Sequence, residues 1–179
     1  DPLWSRGLGD VYKRQVVALQ VMTRPYHSIF CAETAHIYVD ECGSPVKMTG
    51  CQIRPIATTD GKLTPELMQP YLHGFGDQHH SQPRALYISQ CTELGTIYTP
   101  EELKRLTDFA HLNGMYVHMD GARIANACAA LHLSLKELTV DCGIDILSFG
   151  GTKNGLMMGE CVITVSYTHL RAHETREDL

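Results

Sequence analysis

No stretch of this chain approaches the roughly 20 consecutive apolar residues that a bilayer-crossing helix requires, and no charged start precedes an apolar segment with a small-residue cleavage site. Neither membrane insertion nor export is therefore expected. No two cysteines stand in C-x-x-C spacing. The seven, at positions 31, 42, 51, 91, 128, 142 and 161, are odd in number and scattered, which argues against both a disulfide framework and a zinc cluster. They read as reduced thiols, hence a cytoplasmic setting. Lysine and arginine form no stripe: 15 basic against 20 acidic residues give a formal charge of −5, so neither a nucleic acid nor a membrane is the expected partner. A small-molecule ligand fits this charge balance better.

What is present is ordinary globular composition, 44% hydrophobic and 20% charged over 179 residues, enough for one sizeable core. Six short apolar runs read as strands: 27–31, 51–57, 84–89, 115–119, 145–149 and 160–165. Most lack polar alternation, which predicts an α/β fold whose mostly parallel sheet is buried between helices on both faces. The segments 64–74 and 99–114 each open with Thr, Pro and an early Glu and close at Gly, which predicts two capped helices. In the second, Leu103, Leu106, Phe109, Ala110 and Leu112 recur at helical spacing. A further helix is expected after Asp120, and a short one over Ser134 to Leu138. Only ten residues, Gly150 to Gly159, separate the last two strands. That is too few for a parallel crossover, so the last strand should run antiparallel.

Two segments carry the chemistry, HMDGARIANA (118–127) and SFGGTKNG (148–155). Asp120 and Lys153 fall just past predicted strand ends, the edge at which open α/β sheets bind ligands. A carboxylate and a lysine converging there suit an aldehyde cofactor, held by the amine while the carboxylate keeps its ring nitrogen protonated. Pyridoxal 5′-phosphate is that cofactor. The plainer readings are a helix cap for Asp120 and an exposed loop residue for Lys153. His79 and His80, in the polar loop GDQHHSQP, read as a solvated connector, since a metal site would need a third ligand nearby.

The blocks HSIFCAETAHIYVDECGSP, GKLTPE, RALYISQCTELGTIYTPEELK, HMDGARIANACA and DILSFGGTKNGLMMGE, in order between about Val16 and Val165, resemble the threonine aldolase and aromatic amino acid β-eliminating lyase family. That family is a branch of the fold type I pyridoxal-phosphate enzymes, those of aspartate-aminotransferase fold. The resemblance implies that Lys153 is the Schiff-base lysine and Asp120 the ring-nitrogen partner. It implies that Arg123 pairs with the substrate carboxylate, and that His36 stacks on the cofactor ring and assists proton removal from the substrate hydroxyl. Gln90 and Thr92, with Glu93, would line the cofactor pocket; Ser148, Thr152 and Asn154 could reach phosphate or support the loop. The implied activity is a low-specificity L-threonine aldolase, cleaving threonine or allo-threonine to glycine and acetaldehyde. The alternatives are β-elimination from an aromatic amino acid, a metal-dependent hydrolase built on His118, Asp120, His79 and His80, or a non-catalytic fragment. A homodimer or homotetramer is implied for the full-length protein.

The family pattern has two parts without a counterpart here: a glycine and threonine phosphate cup before the first strand, and a second carboxylate-binding arginine in a C-terminal small domain. In their places stand 1–15 and 166–179, which resemble translated adapter sequence on fragments assembled from short reads. The expected organisation is therefore an incomplete cofactor-binding large domain over 16–165 between two unrelated tails. The tails should pack poorly, and the fragment alone should be unstable and inactive.

Overall fold

A computed structural model of the chain describes residues 14–164. Its six strands are β1 (His27–Ala32), β2 (Gln52–Ile56), β3 (Gln82–Ser89), β4 (Tyr116–Gly121), β5 (Ile146–Gly150) and β6 (Glu160–Thr164). They form one sheet in the order β2-β1-β3-β4-β5-β6, with every pairing parallel except β5 with β6. The antiparallel last strand follows from the short linker, which cannot carry the chain back to the opposite end of the sheet. Consecutive residues Ala85, Leu86, Tyr87 and Ile88 are all buried. Because neighbours on a strand point to opposite faces, β3 is covered on both sides.

That cover is helical. Residues 14–22 form α1, which contributes Ala18, Leu19 and Met22 to the core, and α5 (Pro100–Leu112) adds Leu103, Leu106 and Ala110. The start of α5 is fixed by a reciprocal cap: Thr99 Oγ1 accepts from Glu102 N while Glu102 accepts from Thr99 N. Two helical turns flank β1 and β2, α2 (His36–Val39) and α3 (Ser44–Thr49), and α6 (Ile124–Leu131) follows β4.

Two expected helices come out differently. Over 64–74 the α-helix, α4, covers only Pro65–Met68 and tightens to a 3₁₀ turn at Gln69–Tyr71. Pro70 lacks the N–H that the next α-helical bond requires. Ser134 to Leu138 forms hydrogen-bonded turns rather than a helix, as the N–H groups of Thr139 and Asp141 both converge on the Lys136 carbonyl. Most of the two predicted tails lies outside the described residues. Arg14 and Gln15, however, overturn the expectation of poor packing for their part of 1–15, being 6% and 1% exposed.

The strand order sets where a ligand can sit. From β1 the chain steps outward to β2 and then back past β1 to β3, so the order reverses between β1 and β3. The crevice beyond the carboxyl ends of these strands is the binding position of open α/β sheets. His36 follows β1 there, and Ser89 to Glu93 end β3 there. Register extends the edge: Ser89 aligns with Asp120, and Asp120 with Ser148.

Candidate active site

Asp120 is the penultimate residue of β4 rather than a residue just past it, and is buried. Four donors saturate its carboxylate. Oδ2 accepts from Tyr87 Oη at 2.8 Å and Gln15 Nε2 at 2.6 Å; Oδ1 accepts from Ala122 N at 2.9 Å and Arg14 Nη2 at 3.4 Å. The Ala122 contact is a local turn, not a helix cap: α6 starts later, at Ile124, and its N-cap Arg123 supplies no side-chain bond. Tyr87 is fully buried, and that burial, with the Asp120 charge beside it, holds its phenol well above the usual range. It therefore donates to the carboxylate at any working pH.

Lys153 sits in a 3₁₀ turn, Gly151–Asn154, directly after β5. Two glycines permit the close approach this turn needs: a Cβ on Gly150 would lie 2.9 Å from Ala122 Cα, and one on Gly151 would lie 2.5 Å from the Gly159 carbonyl oxygen. Asn154 ties the lysine turn to the aspartate turn. Its Oδ1 accepts from Ala125 N at 3.0 Å, while Nδ2 donates to the carbonyls of Gly150 (2.8 Å), Gly121 (3.0 Å) and Ala122 (3.3 Å). Of the two roles open to Asn154, loop support is the one its contacts fill. Thr152 Oγ1 accepts from Gly159 N across the same loop, and Ser148 is buried against His118.

His36, Asp120, Arg123 and Lys153 line one cavity together with Glu41, Ser89, Cys91 and Glu93. His36 Nδ1 lies 2.8 Å from Glu41 Oε1, and its backbone N–H donates to Glu93 Oε1 at 2.9 Å. The Glu41 hydrogen bond and charge raise the His36 pKa above its ordinary value, partial burial opposing. Glu93 also accepts from Ser89 Oγ at 2.6 Å, so it orders the loop as well as bounding the cavity.

Gln90 and Thr92 depart from expectation. Gln90 is fully buried with both ends of its amide bound to the main chain of Tyr98 (2.9 and 3.0 Å). Thr92 pairs with Thr96 Oγ1 at 2.7 Å. Neither side chain lines the cavity, because both staple the loop between β3 and α5. His79 and His80 lie in the exposed connector, where His80 pairs with Asp77. Among the described residues no group of three His, Cys, Asp or Glu side chains could hold a metal. His118 lies beneath the site, its pKa lowered to about 4 by burial, and all seven cysteines are unpaired.

Sequence reasoning missed Tyr87, Glu41, Arg14 and Gln15. Tyr87 stands in an apolar strand and looks like core; Glu41, five residues after His36, offered only an acidic side chain near an imidazole. Arg14 and Gln15 bear most on ligand fit. Arg14 bridges Asp120 and Glu160, Gln15 covers Asp120, and the cavity left beside them is ≈ 30 Å³. Small-molecule sites run to about 300 Å³ or more. The donor set fits pyridoxal phosphate by kind, with a lysine, an ionisable ring partner, an arginine and an imidazole. For the ring to reach Asp120, the Arg14 and Gln15 side chains must move aside.

A mostly parallel α/β sheet with a lysine turn and a saturated carboxylate at its switch-point edge belongs to the fold type I class. The chain itself belongs to the family described as Beta-eliminating lyase, which it matches over residues 15–179. It is 43% identical over 148 residues to a low specificity L-threonine aldolase of Pseudomonas aeruginosa, covering 82% of this chain and 43% of that protein. A 30% match over 146 residues relates it to an alanine racemase of Cochliobolus carbonum, covering 80% of this chain and 36% of the relative. Among solved structures, threonine aldolase of Leishmania major superposes with a TM-score of 0.78 at 28% identity, covering 93% of this chain and 49% of that one. The chain thus spans less than half the length of the curated relatives named.

Proposed function

We propose that the whole enzyme of which this chain forms part is a pyridoxal-phosphate-dependent aldehyde-lyase, a low-specificity L-threonine aldolase that yields glycine and acetaldehyde from threonine or allo-threonine. The observation that carries this reading is the convergence of Lys153, Asp120, Arg123 and His36 on one cavity at the carboxyl edge of the sheet. The resemblance to the Pseudomonas aldolase supports the choice of reaction.

When bound, the cofactor supplies an electron sink for the pair left on Cα as the Cα–Cβ bond breaks. Lys153 would hold it through its amine, and Asp120, already fixed by Tyr87, would accept its ring N–H. Arg123, at the mouth of the cavity, offers a planar donor fork to a substrate carboxylate. His36 takes the proton from the β-hydroxyl as that oxygen becomes the aldehyde. A β-eliminating lyase acting on an aromatic amino acid is the second reading, favoured by the family's own description. A cytoplasmic homodimer or homotetramer without nucleic-acid or membrane partners is part of the same proposal, as is inactivity of the 179-residue chain alone. The space at Asp120 filled by Arg14 and Gln15 supports that last point.

The test is recovery of the complete reading frame and assay of its product with L-threonine, L-allo-threonine, L-alanine and aromatic amino acids. Glycine and acetaldehyde from the first two support the aldolase reading; pyruvate and ammonia from an aromatic substrate, or racemised alanine alone, overturn it. We further propose that the cofactor domain spans 16–165. The family match runs on to residue 179, so expression of 16–165 beside the 179-residue chain decides that boundary, a markedly more stable long chain refuting it.

A further inference from the structure

Glu41 has no part in the roles assigned so far, yet it is among the most deeply buried carboxylates described, its side chain fully excluded from solvent. Its Oε1 contacts His36 Nδ1 at 2.8 Å, and its Oε2 has no hydrogen-bond partner among the described residues. A carboxylate removed from water costs several kcal/mol unless a cation or proton compensates it, and His36 is the group in contact. The chain bends to make this pair. After Glu41 come two consecutive left-handed residues, Cys42 (φ 49°) and Gly43 (φ 71°), and Ser44 N closes the turn on the Glu41 carbonyl at 2.9 Å. A left-handed conformation at a non-glycine residue such as Cys42 is uncommon and persists where surrounding contacts enforce it.

We infer that Glu41 is a positioning residue for His36: it holds the imidazole as the Nδ1–H tautomer, leaves Nε2 as the proton acceptor, and keeps that acceptor basic. The inference rests on the proposed lyase reading for its chemistry, in which Nε2 receives the β-hydroxyl proton, but not for its geometry. The arrangement follows the logic of an acid that orients a histidine without itself taking the proton. As the proton arrives at Nε2 the imidazolium is stabilised by the carboxylate behind it. The remaining charges around His36 are Asp40 on its own segment, Asp120 from β4, Glu93 from the loop after β3, and Arg14, Arg123 and Lys153 bordering the same cavity. Of the groups acting on His36, Glu41 contributes the largest effect, through its hydrogen bond.

The test uses the 179-residue chain and nitrogen-15 NMR of its histidine rings, which reports tautomer and titration without cofactor or substrate. In the unaltered chain His36 should show the Nδ1–H tautomer and titrate above the ordinary value; in Glu41→Gln its titration should fall toward that value, and in Glu41→Asp most of the shift should return. His111, paired with Asp145 at 2.9 Å away from the site, titrates unchanged in every variant that keeps its fold and so identifies any that do not. An unmoved His36 titration in a folded Glu41→Gln chain, or the opposite tautomer in the unaltered one, overturns the proposal. In the complete enzyme, the acid limb of the kcat/KM profile should move down with the His36 titration, and a limb that stays put overturns the role in the reaction. Failure to cleave threonine at all would instead strike the lyase reading, with the NMR result standing apart from it.

Discussion

Among the described residues Asn154 is the side chain whose hydrogen bonds join the lysine turn to the aspartate turn, and its replacement by alanine isolates what that joint contributes. The amide makes three contacts at 3.0 Å or less, to Ala125 N, Gly121 O and Gly150 O, and a longer one to Ala122 O. At about 1 kcal/mol net for each well-formed bond, the sum is about 3 kcal/mol. Water replaces the Ala125 contact, since Ala125 is exposed, so the expected loss is about 2 kcal/mol. Asn154→Asp is the informative partner. It keeps an acceptor for Ala125 N but turns a carboxylate toward three carbonyls, and should be at least as destabilising as alanine despite its matching shape. Urea unfolding followed by circular dichroism measures both, and the slope should stay constant while the midpoint falls. A loss below about 0.5 kcal/mol for both variants, the range of ordinary surface substitutions, would refute the claim that this residue couples the two turns.

In the complete enzyme Lys153→Ala should abolish turnover, whereas Arg123→Ala, which removes one carboxylate contact, should mainly raise KM; equal losses in steady-state kinetics would contradict the division of roles. His118 is neutral in the fold, with a pKa of about 4 against an ordinary 6.5, so the unfolded chain binds the extra proton between those values. Stability should therefore rise with pH across that window and be lost as pH falls through it; His118→Asn should flatten the slope in urea midpoints taken from pH 4 to 7. His111 has the opposite sign: Asp145 raises its pKa by hydrogen bonding, so its contribution is full below the ordinary value and lost as pH climbs past the raised one. His111→Gln should remove that decline in midpoints above pH 6.5, and an unchanged slope would count against the pair.

The sheet was legible because buried parallel strands are continuous apolar runs, and because ten residues cannot make a parallel crossover. Its helices were legible where caps and spacing agreed, as at Thr99 to Glu102, and not where Pro70 cut one short. That Asp120 and Lys153 line one cavity was legible because both follow apolar strands that end at the same edge of the sheet. Gln90 and Thr92 misled because each, at the right edge, turns its side chain to the backbone of its own loop, which spacing does not reveal. Tyr87 and Glu41 touch the site from within the core, and burial of a polar group against another is a tertiary fact. Arg14 and Gln15 were set aside because their segment has no family counterpart and resembles adapter sequence, although their polar ends reach Asp120.

Lys153 and Asp120 should act as one cofactor site. Incubation of the chain with pyridoxal phosphate, borohydride reduction and peptide mapping test it most directly, on the chain itself, on Arg14→Ala/Gln15→Ala, and on Asp120→Ala. Clearing both side chains removes two of the four donors on Asp120, so the double variant should be less stable, but it opens the space at Asp120 that the ring must reach. A saturable pyridoxyl group is expected on Lys153, at lower cofactor concentration in the double variant and lost from Asp120→Ala. Preferential labelling of another lysine, or Lys153 labelling indifferent to Asp120, would contradict it.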